Sequence, residues 1–73
     1  MKPQHVLGNN VRRLRESKGW SQEDLAEKAN LHRTYVSGIE RGVRNPSLTV
    51  LFKLAEGLGV EPGILLNRKP SKP

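Results

Sequence analysis

The sequence predicts an all-α protein, a compact bundle of about five short helices, and three observations carry that prediction. Apolar residues recur at intervals of three and four in successive stretches, the period of helices with one buried face. No stretch alternates apolar and polar residues over strand length. The 73 residues suffice for one small core but not for several.

Leu7, Val11 and Leu14 are spaced by four and three with Arg12, Arg13, Arg15 and Glu16 between them, which predicts a helix over about 5–18 ended by Gly19. Ser21 then offers a side-chain acceptor to the amides of a second helix, and Glu23 and Asp24 suit the positive end of its dipole. That helix runs over 22–29 and buries Leu25, Ala26 and Ala29. Asn30 and Leu31 interrupt the pattern, and a third helix follows with a narrow stripe of Val36 and Ile39, closed by Gly42. Its other face carries His32, Arg33, Thr34, Ser37 and Arg41, side chains able to bond bases or phosphates and with no apolar reason to be buried.

Pro46 lacks an amide hydrogen and biases Asn45 away from helix, so VRNP reads as a connection. A fourth helix over about 47–57 presents Leu48, Leu51, Leu54, Ala55 and Leu58 as its apolar stripe, with Gly57 and Gly59 at its end. EPGILLN reads as a last short turn or helix whose Val60, Ile64 and Leu65 are candidates to close the core. Residues 1–67 thus form one domain, and 68–73 a basic, proline-broken tail expected to be flexible. The two helices between Trp20 and Gly42 are too short to persist alone in water, so the rest of the fold must hold them.

Thirteen Lys and Arg against seven Asp and Glu give a formal charge of +6, which favours an anionic partner such as nucleic acid. There is no cysteine, and His5 and His32 stand far apart, so a structural metal site is not expected. No nucleophile and base, paired acids or metal ligands are placed together, so neither catalysis nor a cofactor is expected, and a domain this small has little room for a small-molecule cavity. The apolar runs are too short for a membrane span or a signal peptide, and the cytoplasm is the expected location.

SQEDLAEKANLHRTYVSGIERG followed by NPSLTVLFKLAEGLGV resembles the phage repressor and Cro-type, XRE-like family of helix-turn-helix transcription regulators over about 6–66. LHRTYVSGIERG further resembles the controller proteins of restriction–modification systems. The resemblance implies a lambda-repressor-like fold with its helix-turn-helix at 22–41, whose second helix lies in the major groove of double-stranded DNA. It implies that Gln22 contacts a phosphate and braces that helix, and that Arg33 and Thr34 read base edges, arginine bidentately to guanine and threonine to the thymine methyl. Arg41, Arg44 and Asn45 would hold phosphates, and Arg15 would pair with Glu40. Tyr35 has two readings, a ring packed on the scaffold or one laid on the DNA backbone. Ser37 and Gly38 stand where relatives often carry a longer reading side chain, so fewer bases would be read. Trp20, just before the capping Ser21, reads as a hydrophobic staple, and Arg12, Lys18, Lys53, Arg68, Lys69 and Lys72 as general surface charge.

One copy makes few DNA contacts, so a homodimer on a pseudo-palindromic operator is the expected working form. With helix four spent on the core, Val60, Ile64, Leu65 and Leu66 exceed what a short terminal turn can bury, and they form the predicted dimer interface, helped by the end of helix four. The alternative is a protein-interaction module of the antitoxin kind with DNA binding secondary, for which only the short tail after Asn67 is available as a partner segment.

Overall fold

Pro3 begins the first helix, two residues earlier than the apolar spacing suggests, because proline's fixed φ and missing amide suit the first helical turn. The computed structural model describes residues 2–68, so the remainder of the tail, 69–73 with Lys69 and Lys72, lies outside the described residues. Five helices follow in order: α1 (Pro3–Ser17), α2 (Gln22–Ala29), α3 (Arg33–Glu40), α4 (Leu48–Leu58) and α5 (Pro62–Leu65). Among the described residues there is no strand, and no helix is long and apolar enough to cross a membrane.

Leu7, Val11, Leu25, Val36, Ile39, Leu54, Leu58 and Leu65 make one core with Ala26, Ala29 and Ala55. The alanines matter because α2 packs on both α3 and α4, and small residues let helix axes approach. α1 lies against α3, α4 and α5, so it touches both halves of the bundle. Ser47 caps α4 by accepting the Val50 amide at 3.2 Å, and Gly59 ends it with φ +71°.

The apolar stripe of α4 is only partly a core stripe. Leu54, Ala55 and Leu58 are buried and Leu51 is half-buried, but Leu48 is 70% exposed. Leu48 stands in the first turn of α4, at the rim of an open groove that it shares with Pro3, Leu7, Leu51 and Leu66, and is therefore not covered as the residues further along the helix are. Phe52, on a neighbouring flank, is 54% exposed.

α5 divides the four residues expected at a dimer interface. Leu65 is fully buried and completes the core, so its place in the interface is corrected: a second copy could not reach it. Val60 and Ile64 are half-buried, Val60 packing on the core, and Leu66 is 52% exposed.

Asn10 is the buried polar exception. It sits at core spacing from Leu7 and Leu14, and its Nδ2 donates to the Leu65 and Asn67 carbonyls, both at 2.9 Å. Two satisfied donors make this burial tolerable and tie the C-terminal segment to α1.

Candidate nucleic-acid interface

The chain between α2 and α3 is fixed from both ends. Ser21 Oγ accepts the Asp24 amide at 3.0 Å while Asp24 accepts the Ser21 amide at 2.9 Å, a reciprocal cap that contributes about 1 kcal/mol. The Ser21 backbone amide first, and then the Ser21 side chain, hold the Asp24 carboxyl below the usual aspartate range. Asn30 closes α2 in the left-handed region at φ 55°, a conformation asparagine tolerates, and the Leu31 amide returns to the Ala26 carbonyl at 2.8 Å.

His32 then caps α3 rather than lying on its reading face: its Nδ1 accepts the Thr34 amide at 3.2 Å. His32 thus begins the helix while remaining exposed.

Val36, Gly38 and Ile39 face inward from α3, and Arg33 and Thr34 face solvent with Ser37 half-buried a turn on. The inner face is seated closely. A Cβ on Gly8 would overlap the Ile39 carbonyl oxygen and stand 2.9 Å from that of Glu40, so α1 can lie against the end of α3 only because residue 8 has no side chain.

Glu40 anchors the same end. Arg15 grips it through Nε at 2.6 Å and a second guanidinium nitrogen at 3.0 Å, and Gln22 Nε2 donates to the same carboxylate at 3.0 Å. Arg15 also donates to the Trp20 carbonyl at 2.6 Å. The side chains of Arg15 and Glu40 are 11% and 4% exposed, so both charges are largely desolvated and their bidentate geometry must offset that cost. The hydrogen bond to Glu40 holds the Arg15 guanidinium still more firmly protonated than usual. Helices α1, α2 and α3 therefore meet in one polar knot, and Gln22 stands beside the exposed start of α2 with its amide already oriented.

Tyr35 is half-buried against the core, and the Arg44 guanidinium stands 5.5 Å from its ring centre. Gly38 is buried beneath Arg44: a Cβ there would lie 2.6 Å from Arg44 Cγ. It is therefore not a truncated base reader but the floor over which Arg44 crosses α3. Arg41 and Asn45 are exposed on the same connection, and Val43 between them is 65% exposed.

Trp20 packs on the core's edge with the Lys18 and Lys28 ammonium groups 5.3 and 4.8 Å from its ring centre. Arg33 approaches Glu23 at 3.6 Å, an ion pair between two exposed side chains that is worth little and opens readily. Glu23 in this role is not singled out by the sequence, nor are Gly8 and Asn10, whose small or polar character on an otherwise apolar helix face is the available signal.

The described residues hold no group of three or more His, Asp or Glu that could bind a metal ion. What the surface offers is a short helix, a turn over residues 30–32 and a second short helix whose polar end projects between basic side chains, the geometry of a helix-turn-helix. A helix-turn-helix family profile matches residues 11–65, and the chain belongs to the XRE-type helix-turn-helix family of DNA-binding transcription regulators.

Among individual relatives, it is 51% identical over 63 residues to the control protein C.BamHI of Bacillus amyloliquefaciens, covering 85% of this chain and 78% of that one. It superposes on the restriction–modification controller protein C.AhdI from Aeromonas hydrophila with a TM-score of 0.82 at 48% identity, covering 85% of this chain and 94% of that one. For the controller protein C.Esp1396I, solved as a tetramer in complex with its natural 35 base-pair operator, the TM-score is 0.81 and the identity 38%, over 89% of this chain and 86% of that one.

Proposed function

We propose that the protein is a homodimeric regulator of the controller type that lays α3 in the major groove of a pseudo-palindromic operator. The observation that carries this reading is the exposed start of α3, where Arg33 and Thr34 project from a helix whose opposite side is fully buried. Arg33 leaves Glu23 and bonds guanine, and Thr34 reads the neighbouring base through its hydroxyl and methyl. Ser37 adds a short contact, while Gln22, Arg41, Arg44 and Asn45 take phosphates on either side and fix the register without reading sequence. The likeness to C.Esp1396I, bound as a tetramer to operator DNA, supports the same mode of action here.

The second copy is placed on the apolar edge. Leu48, Phe52 and Leu66 are exposed together with the half-buried Ile64 and Val60. Leu66 also lines a groove of about 280 Å³ with Pro3, Leu7, Leu48 and Leu51. The interface therefore uses the start of α4 rather than its end, and draws on Leu66, Ile64 and Val60 but not Leu65. Pairing across this edge by two-fold symmetry puts both α3 helices on one face of the DNA, about one helical turn apart.

Comparing Arg33→Ala with Arg44→Ala on a library of operator variants tests this reading. Arg33→Ala should weaken the preferred site by about 1–3 kcal/mol and relax one base per half-site, whereas Arg44→Ala should weaken all variants alike. An unchanged ranking of variants with Arg33→Ala would remove Arg33 as a base reader.

A further inference from the structure

We infer that Asn10 is the positioning residue of the dimerisation surface: from inside α1 it sets where Leu66 stands. This inference rests on the reading that two copies pair through Leu66. α5 has four residues, too few to hold its own conformation. Its apolar anchor is Leu65, fully buried, which fixes one side chain but not the chain that follows. Beyond it the carbonyls of Leu65 and Asn67 flank Leu66, and the Asn10 amide group donates to both at 2.9 Å. The peptide unit that enters Leu66 and the carbonyl of the residue after it are thus both referred to one side chain, itself 3% exposed in a 15-residue helix.

The same helix supplies part of the surface that Leu66 completes. Pro3 and Leu7 line one groove with Leu66, and Pro3 and Val6 line a second of about 180 Å³ on its other side. Leu66 therefore borders two hollows to whose walls α1 contributes Pro3, Val6 and Leu7, and Asn10 holds Leu66 in register with that part of the walls. An apolar residue at position 10 would bury as well but would leave both carbonyls to water and Leu66 free to move. Asparagine's two amide hydrogens meet the two carbonyls, and no acceptor-only or single-donor side chain of that length does so.

The test compares Asn10→Ala and Asn10→Leu with Ile39→Val, a core change on α3 of comparable cost to stability, and with Leu66→Glu. Dimer dissociation is measured by sedimentation under conditions where unfolding curves show each variant folded, and amide exchange is read at Leu66 and Asn67. The expected result is a dimer dissociation constant raised about tenfold in both Asn10 variants, with faster exchange at those two amides, while Ile39→Val leaves both unchanged. An unchanged dimer constant in the Asn10 variants, with Leu66→Glu monomeric, overturns the inference and leaves the dimer reading standing. If Leu66→Glu is itself still dimeric, the dimer reading fails first and the inference falls with it.

Discussion

The two sides of this small bundle are built in opposite ways. On one side α1, α2 and α3 converge on a polar knot in which Glu40 accepts from Arg15 and Gln22, and the surface beyond it is basic. On the other, α4 and α5 contribute buried Leu54, Leu58 and Leu65 and then leave Leu48, Phe52 and Leu66 exposed. The first side is finished beneath its surface: Glu40 is paired with Arg15 and Gln22, and the end of α3 is held in place. The second presents apolar surface that a second copy would cover. A recognition helix must be placed to a fraction of an ångström, which directional hydrogen bonds accomplish, whereas association between copies is driven by non-directional apolar burial.

The polar knot should be where the bundle breaks most easily. Glu40→Ala leaves Arg15 largely desolvated with the Trp20 carbonyl and a longer approach to the exposed Glu16 at 4.0 Å, and should cost about 3 kcal/mol, measured by urea unfolding. Operator affinity should fall with it, since α3 loses its anchor. Gly8→Ala comes next. The added methyl meets backbone carbonyls that cannot rotate away, so α1 must draw back from α3, at about 1–3 kcal/mol in the same measurement.

Leu66→Glu sharpens the contrast from the other side. Because Leu66 is half-exposed, the monomer's stability should change by less than about 0.5 kcal/mol. Sedimentation should nevertheless find the dimer lost.

The smallest effect concerns pH. Asp24 is held below the usual aspartate value of 3.8 by its bonds to Ser21, so it contributes stability above that value. That contribution disappears as pH falls through the lower folded value, and Asp24→Asn should flatten the acid limb of the stability curve.

These contrasts also explain what could be read from the sequence. Helix periods, the Ser21 cap and the start of α3 are local, set by residues within one or two turns, and they were legible. The Arg15–Glu40 pair came through family resemblance, since residues 25 positions apart carry no spacing signal of their own. Periodicity marks Leu48 and Leu65 as apolar but does not say how far each is covered. Leu65 closes the core, one of the two places expected for it, whereas Leu48, expected in the apolar stripe of α4, is 70% exposed. Asn10 and Gly8 escape a sequence reading because each matters through a distant partner, the end of α5 and the carbonyls of α3, and Gly38 reads as a shortened position on α3 because the crossing Arg44 side chain carries no spacing signal. Of the two readings of Tyr35, the packed one holds: its ring lies against the core, with the Arg44 guanidinium 5.5 Å from the ring centre.

The central claim is that one side meets DNA and the other meets a second copy. Backbone amide shifts of the unmodified protein test it directly, recorded first on dilution and then on addition of operator duplex. Dilution should move the amides of Leu48, Phe52 and Leu66 and leave Arg33–Ser37 in place, while DNA should move Gln22, Arg33, Thr34 and Arg41–Asn45. DNA-induced shifts centred on α4 and α5, or dilution shifts centred on α3, would contradict the account.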